Sequence, residues 1–525
     1  MIWCPPIFAV ILSLAFLQGV STAEPTINVL SILPGNAPVI DGILDDAAWI
    51  KSTPISGFRQ REPEEGAPGS QKTEVRLCFD PRQLYIAFRC FDTEPEKIRR
   101  TVLQRDTGMV PDDHVIVILD PYAREKEGFA FLANANGAKL DGKLSEHLHD
   151  PDSSWDTLWD AEATVDEEGW TVEMAIPFRD LNFDPGETSW AVNFGRYLPR
   201  NQEELRWTAV SRNRGIYRLQ EFGRIEGLEE MGRGFGLDLQ PYLSARWKDA
   251  LGGLDFDTGM DAFYQATPNM TATLTFNTDF AETEIDQRQI NLTRFPLFFP
   301  EKRDFFVEGA EFFEFGQAKG SMYRPFHSRT VGLSSTLEKV GILGGGKLTG
   351  RANRLGVGLF GAQLDDFGDV EGQDVYVGRF TYEVLKESRV GLISTYGDPR
   401  TGADNSLIGV DATLKNSRFW GDNVLTGKFW AVGTEDNGTG GEAFGKQVRA
   451  INDPLAFLFE AEQVDDEFRP GMGFLSRTGQ RGRAFLRYRF RPDSIGSSIS
   501  PYRSMKTSMR RTMGTWKPRF SNRAP

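Results

Sequence analysis

Between Phe235 and about residue 490 the chain alternates apolar with small or hydroxylated residues, in stretches approaching ten residues that are separated by Pro, Asn, Asp and Gly. In "NMTATLTFNTDF", Met270, Ala272, Leu274 and Phe276 alternate with Thr271, Thr273, Thr275 and Asn277. A period of two places the two sets on opposite faces of an extended strand and is incompatible with an amphipathic helix. "LGVGLFGAQL", "DVYVGRFTYEVL", "RVGLISTYG", "SLIGVDATLK", "NVLTGKFWAVG" and "GRAFLRYRFRP" repeat the pattern, with Tyr, Phe or Trp near many ends. Transmembrane β-strands need ~9 to 11 residues to cross a bilayer at a tilt and carry aromatic belts at both interfaces. A soluble sandwich gives a similar alternation, but a polar face of Gly, Thr, Asn and Lys suits a wet lumen better than a sheet exterior. The expectation for residues 233–492 is an outer-membrane-type antiparallel β-barrel of about ten strands.

Ahead of it, from Ile40 to about Val210, shorter alternating runs bounded by Gly, Pro and Asp predict an antiparallel β-sandwich. The whole chain is therefore expected to be all-β. The runs "HVIVILD", "GFAFLANANG", "AEATVDEEGWTVEMAI" and "SWAVNFGRY" are its strands. One helix is expected after Pro95, where Ile98, Val102 and Leu103 share a side. A hairpin turning at Asp80 to Gln83 pairs Phe79 with Leu84, Leu77 with Ile86 and Val75 with Phe88. That register sends Cys78 and Cys90 to opposite faces, so both are expected as free thiols.

The remaining segments are assigned as follows. The apolar run Ile7 to Val20, then Ser21, Thr22 and Ala23, fits a signal peptide over 1–23 with Glu24 as first mature residue. Residues 24–35 and 216–232 are expected as linkers around a sandwich at 36–215, and 493–525 as a basic, disordered tail. With 525 residues, two or three domains are accommodated. A net charge of -14 argues against nucleic acid as a partner.

Three motifs of the first region, "VIDGILDDAAW", "FLANANG" and "WDTLWDAEATVDEEGWTVEMAIPF", resemble the family nine carbohydrate-binding module. The resemblance implies a secreted β-sandwich that binds sugars, in some members with calcium. In the second region "TFNTDFAETEIDQRQINLTRFPLFFPEKRDFFVEGAEFF", "HSRTVG" and "FRPGMGFLSR" resemble the uncharacterised family commonly fused behind that module, over about residues 230–490. Its members are regarded as outer-membrane barrels of Gram-negative bacteria, sometimes labelled membrane-associated hydrolases, without established catalytic residues. Family members are longer and end in an aromatic residue, so this chain reads as a shortened copy whose barrel is expected to be incomplete.

Sugar recognition relies on an aromatic face against the C–H side of a pyranose and on amides and carboxylates for the hydroxyls. Pairing Val165 with Trp170 puts Trp159, Ala161, Ala163 and Val165 on the core face, so Trp159 and Trp170 are packing residues, as are Trp190 and Trp207. Trp49 is expected to plug one end of the sandwich. Trp155, among the turn formers of "HDPDSSWDT", is the expected platform, with Tyr122 second and Asn134 third as carbohydrate-binding residues. His147 and His149 read as a solvated loop rather than a zinc site, and Asp106, Asp112, Asp113 and Asp120 could offer oxygens to calcium without a regular loop spacing.

The Phe-rich stretch 291–316 combines eight phenylalanines with eight charged residues. It is expected to be a connection at the barrel mouth, its rings against protein, broken by Pro296 and Pro300. Together these features imply an exported, outer-membrane or cell-surface protein whose partners are carbohydrate and outer-membrane lipid. The alternatives are a hydrolase of O-glycosyl bonds and a pore or transporter with a ligand-sensing domain. Glycoside hydrolysis needs two carboxylates about 5 to 9.5 Å apart. No spacing in the chain singles out such a pair, and neither G-x-S-x-G nor H-E-x-x-H occurs.

Overall fold

The computed structural model describes residues 25–121, 127–145, 151, 155–181, 183, 186–213, 216–217, 219–232, 235–248, 253–267, 269–277, 295–299, 301–318, 320–334, 340–368, 370–421 and 423–489. The expected signal peptide, Tyr122, His147, His149 and the basic tail lie outside these residues. The chain divides into two units, with the boundary at Gly236 and Leu237.

The first unit is a sandwich of an eight-stranded and a five-stranded sheet. Its strands are β1 Thr26–Asn28, β2 Leu30–Ser31, β3 Arg59–Glu62, β4 Thr73–Phe79, β5 Gln83–Phe91, β6 His114–Asp120, β7 Glu127–Asn134, β8 Lys139–Ser145, β9 Asp160–Asp166, β10 Gly169–Pro177, β11 Ser189–Leu198, β12 Glu203–Arg206 and β13 Gly223–Glu226. One sheet runs β1-β13-β11-β6-β7-β8, with β12 and β3 attached beside β11; the other runs β2-β4-β5-β10-β9. Both expected hairpin registers are present, Phe79 opposite Leu84 and Trp170 opposite Val165. Cys78 and Cys90 are buried free thiols.

Three expectations are corrected here. The supposed linkers carry strands: β1 pairs with β13 and β2 with β4, both in parallel. Runs of two to four residues carry too little periodicity to reveal such long-range pairing. The helix after Pro95 is only a 3-10 turn, Pro95–Lys97. Beyond it the carboxylates of Asp113 and Asp112 accept the N–H groups of Arg99, Thr101 and Val102, which a helix would have used internally. Trp49 sits on α1, Ala47–Lys51, and covers the outer face of the five-stranded sheet with Cys78, Tyr85, Ala87 and Ala175 instead of closing an end.

Two buried charges fix the sandwich. Glu173 on β10 accepts the indole N–H of Trp49 at 2.5 Å and the backbone N–H groups of Asp41 at 3.0 Å and Gly42 at 2.7 Å. Gly42 holds a φ of +82°, which suits glycine. The motif "VIDGILDDAAW" is thus a cover latched onto a carboxylate in "TVEMAI". From the other sheet, buried Arg196 on β11 donates to the carbonyls of Lys72 and Phe91 and to Thr73 Oγ1, tying the two layers together.

The second unit is a twelve-stranded antiparallel meander. Its strands are β14 Leu237–Lys248, β15 Gly253–Thr267, β16 Met270–Phe276, β18 Ile342–Ala352, β19 Leu355–Leu364, β20 Asp374–Leu385, β21 Ser388–Tyr396, β22 Asn405–Phe419, β23 Asn423–Asp436, β24 Thr439–Ile451, β25 Leu455–Val464 and β27 Gly479–Tyr488. A separate two-stranded ribbon joins β17, Tyr323–Arg324, to β26, Phe474–Leu475. Two more strands are present than the sequence suggested, and among the described residues no pairing joins β14 to β27 and no closed barrel is seen.

The two faces of this sheet are inverted relative to those of an ordinary soluble sheet. On β22, Asn405, Leu407, Asp411 and Thr413 are buried while Ile408 and Val410 are 60% and 54% exposed. On β20, Val375, Val377 and Arg379 are buried while Tyr376, Phe380, Tyr382 and Val384 are exposed. Leu239, Leu243, Leu274, Leu359, Leu392, Phe459 and Leu486 continue the exposed apolar face from β14 to β27. Glu435, Glu442 and Lys446 interrupt it on β23 and β24. Among the described residues no helix is long and apolar enough to cross a membrane.

Against the polar face lies the Phe-rich segment, with α2 at Asp304–Val307. Phe305 is fully buried and packs on Phe306 and Phe360, as expected for rings set against protein. Its charged neighbours stand on or beside the rings, as detailed below.

Replacing Glu173 by Ala removes the acceptor for three N–H groups at once. The expected cost is ~2 to 5 kcal/mol, read as a lowered urea midpoint in the tryptophan-monitored transition, whereas Arg179→Ala, on an exposed side chain, shifts it by less than ~0.5 kcal/mol.

Candidate functional site

At one end of the sandwich an extended segment precedes β9. Its residues alternate: Thr157 and Trp159 point inward and are buried, while Asp156 and Leu158 face solvent. Trp155 follows the inward set and is half-buried, its ring centroid 4.8 Å from that of Phe129 and 6.2 Å from that of Phe131. Phe131 also meets Trp159 edge-on at 5.2 Å. The indole of Trp155 is therefore a backed surface rather than a freely standing platform, with part of the ring open.

Arg105 organises the charges around it. Its guanidinium donates to Asp141 at 2.8 Å, to the carbonyl of Thr157 at 2.7 Å and to Asp156, and its Nε lies 3.3 Å from Asp106. Asp141, buried on β8, also accepts from the indole of Trp159 at 3.0 Å and the N–H of Thr157 at 2.9 Å. Burial raises the Asp141 carboxyl above its ordinary range, against the opposing pull of Trp159, Thr157 and Arg105. Arg105 and Asp141 thus clamp segment 155–159 onto β8. Asp106, at a positive φ of 57°, and Asp156, with its side chain 64% exposed, leave two carboxylates at the surface. Lys139 donates to the carbonyl of Trp159 from 5.6 Å above its ring.

Asn134 does not belong to this surface. It is fully buried, its Nδ2 donates to the Val102 carbonyl and Asp112, and its Oδ1 accepts from the N–H groups of Asn136 and Ala138. Every one of its side-chain hydrogen-bonding positions is used within the fold, so Asn134 holds the turn of "FLANANG" and is removed from the set of sugar contacts. Tyr122 lies outside the described residues. Asp112 is likewise committed to Thr101, Val102 and Asn134. Among the described residues no group of three His, Cys, Asp or Glu side chains is arranged to hold a metal ion.

In the second unit the three quoted motifs converge, a feature that no spacing in the sequence indicated. Glu301 binds Arg303 through both carboxylate oxygens, at 2.9 and 2.8 Å, and accepts from Ser328 at 2.8 Å. Arg303 goes on to the carbonyls of Val331 and Ser328. "PEKR" is thereby locked to "HSRTVG", which in turn meets "FRPGMGFLSR" through the His327 N–H to the Met472 carbonyl at 2.9 Å and through the β17–β26 ribbon. His327 packs against Phe298 at 4.8 Å and Phe474 at 6.1 Å.

Burial opposes ionisation of Glu301, but Arg303 outweighs it and holds the carboxyl at about 2. A Ser328 hydroxyl that donates to so weakly basic a carboxylate is not activated as a nucleophile. On β25, Glu460 and Glu462 share one face. Glu460 is bound by Arg481, Arg483 and Gln447, and Glu462 by Ser321, the Met322 N–H and Arg481. Both carboxylates are neutralised within the fold, which is an arrangement for structure rather than for proton transfer.

A family model described as "Domain of unknown function (DUF5916)" matches residues 235–366. Among solved structures, a carbohydrate binding module family 9 protein from Caldicellulosiruptor kristjanssonii in complex with cellotriose is 18% identical, covers 38% of this chain and 92% of its own, and has a TM-score of 0.28. The module from the same organism in complex with glucose is 17% identical, with 38% and 94% covered and a TM-score of 0.28. A protein from Bacteroides uniformis is 13% identical, with 39% and 99% covered and a TM-score of 0.32. No curated protein matches the chain.

His327 gives the motif cluster a pH dependence. Burial, reinforced by Arg324, pushes its imidazolium down to about 4, against the pull of Glu301. The unfolded chain then binds a proton near 6.5 that the folded chain refuses until about 4, so stability is full above 6.5 and falls as pH drops through that window. The expected loss is at most ~3 kcal/mol. It is read as a falling urea midpoint between pH 7 and 4, and His327→Gln flattens this slope.

Proposed function

We propose that this chain is a cell-envelope protein in which a carbohydrate-binding sandwich is joined to a membrane-embedded β-sheet. The observation that supports it is the inverted burial of the second unit. Twelve consecutive strands of seven to fifteen residues turn a broad apolar face outward, while the inward face mixes apolar residues such as Phe360, Val377, Ile393 and Trp430 with buried charged and hydroxylated ones such as Lys347, Arg379, Asp411 and Thr413. In water that exposed surface would far exceed the few hundred Å² that soluble monomers leave uncovered. In hydrocarbon it is the favourable arrangement, and aromatic residues lie near both ends of the strands, Tyr376 and Tyr396 at one and Tyr264, Tyr382 and Tyr488 at the other.

For the sandwich, the proposed sugar surface is the open part of Trp155, backed by Phe129 and Phe131, with Asp106 and Asp156 held by Arg105 to accept hydroxyl hydrogens. A rigid indole beside positioned carboxylates supplies both parts of saccharide recognition, stacking and hydrogen bonding. The role is capture of glycan at the outer membrane or cell surface, in service of carbohydrate catabolism.

Two outcomes test the proposal. Trp155→Ala is expected to weaken binding of the full chain to an oligosaccharide array, cellotriose included, by about tenfold or more, with Trp155→Phe intermediate. Binding unchanged in both variants removes Trp155 from the site. On the sheet, Leu392→Arg and Val410→Arg, neighbours across β21 and β22, are expected to cost ~2 to 4 kcal/mol each in a bilayer and less than ~0.5 kcal/mol on a water-facing strand. Flotation with liposomes of the wild-type chain and the two variants distinguishes these cases.

A further inference from the structure

We propose that the short-turn end of the twelve-stranded sheet is a cationic collar that docks on the anionic phospholipid headgroups of one membrane surface. The inference rests on the membrane reading of the sheet and deepens it by naming that surface. It starts from the hairpins that link β18 to β25, whose two ends differ in both length and charge. At one end the turns β18–β19, β20–β21, β22–β23 and β24–β25 take two or three residues each, and the stretches around them, 351–354, 383–389, 415–423 and 449–454, hold seven Lys or Arg against four Asp or Glu. At the other end the connections β19–β20, β21–β22 and β23–β24, over 365–374, 397–405 and 435–442, hold ten Asp or Glu against Arg400 alone. A chain of net charge -14 thus concentrates positive charge where its four short turns lie.

The described acids at the short-turn end are occupied within the fold. Glu383 takes Arg351 at 2.9 Å, Asp453 takes Arg489 at 3.2 Å, and Glu387 accepts the Ser417 N–H at 2.8 Å. Arg354, Lys386 and Arg418 are exposed at the turns. Trp420, at the tip of β22–β23, is 77% exposed and stacks on Phe419 at 4.4 Å, and Tyr382 and Tyr488 are exposed near the same ends of β20 and β27. Indole and phenol rings beside Lys and Arg suit a bilayer interface, the rings lying in the headgroup layer and the cations meeting its phosphates. Turns of two or three residues keep these cations at the level where the strands leave hydrocarbon, within the ~8 Å Debye length over which a charged surface acts. At the opposite end Tyr376 and Tyr396 donate to Asp374 at 3.3 Å and to Asp404 at 3.1 Å, so the aromatic belt there is rimmed with carboxylates that an anionic surface repels. The polarity therefore sets which way the sheet sits in an asymmetric bilayer.

The test is flotation of the full chain with vesicles of phosphatidylcholine alone and of phosphatidylcholine with phosphatidylglycerol. The anionic lipid is expected to raise the partition coefficient about tenfold or more at low salt, and salt at about 1 M is expected to remove that gain. Arg354→Gln and Arg418→Gln, both in exposed turns, are each expected to cut the gain about fivefold. Glu371→Gln, at the acidic end, is expected to leave it unchanged, and heat-modifiable migration on gels reports whether each variant is folded. Wild-type chain that floats with neither vesicle defeats the membrane reading and this inference together. Equal flotation with both, an anionic gain that survives high salt, or a gain that Glu371→Gln raises as much as Arg354→Gln lowers it, overturns the collar and leaves the membrane reading in place.

Discussion

The structure depends on where its buried charges end. A charged side chain removed from water costs several kcal/mol unless its hydrogen-bonding capacity is met. In both units that requirement has been turned into a means of holding irregular backbone. In the sandwich most of these charges are carboxylates with N–H clients: Glu173 gathers Asp41 and Gly42, Asp112 gathers Thr101 and Val102, and Asp141 takes Thr157, while Arg196 takes the carbonyls of Lys72 and Phe91. In the twelve-stranded unit the wall charges are mostly cations and the clients are carbonyls, as for Lys347, Arg379, Lys428 and Arg481. Each arrangement places non-repetitive chain at a fixed point on a sheet without asking it to pair as a strand.

The same rule resolves how one stretch can hold eight phenylalanines beside so many charges. All but Phe313 meet a cation: Arg477 lies 5.5 Å from Phe295, Arg324 4.4 Å from Phe298, Arg329 5.5 Å from Phe299, Lys347 5.1 Å from Phe305, Arg303 4.1 Å from Phe306, Arg351 5.8 Å from Phe312 and Arg379 5.4 Å from Phe315. A ring face is a weak acceptor for a cation whose remaining donors are already engaged elsewhere. Where the cation is itself buried on the sheet, as for Lys347 near Phe305 and Arg379 near Phe315, the phenylalanine supplies apolar filling and part of the solvation of the charge.

What could be read from sequence followed from period. The two hairpin registers, the core assignment of Trp159 and Trp170 and the existence of the long strands all rest on alternation over seven or more residues, and all are present. The failures share a cause. β1, β2 and β13 are too short to show a period, and the expected helix after Pro95 was lost because Asp112 and Asp113, distant from it in no local pattern, compete for its N–H groups. Trp155 reads locally as a turn residue, although the alternation through Val165, Ala163, Ala161 and Trp159 extends two further steps to Thr157 and Trp155. Carrying the period back would have placed its ring against Phe129. The convergence of "PEKR", "HSRTVG" and "FRPGMGFLSR" depends on contacts 25 to 28 residues apart between the first two and more than a hundred apart to the third, and has no local signal.

The inverted sheet places one further demand on sequence. With the large apolar side chains turned outward, the inner face has to accommodate long charged side chains reaching sideways, and it does so through residues without one. Arg379 on β20 reaches Asp411 on β22 at 2.5 Å, passing over the intervening strand β21 at Gly391, where a Cβ would strike the guanidinium. On the opposite side of that ion pair Gly316, in the segment held against the sheet, leaves room for the Asp411 carboxylate. The glycine-rich polar face is thus a consequence of packing charge in a confined space. A soluble sheet, whose polar face looks into water, has no reason to clear such a path, so the glycines and the outward apolar residues are two expressions of the same inversion.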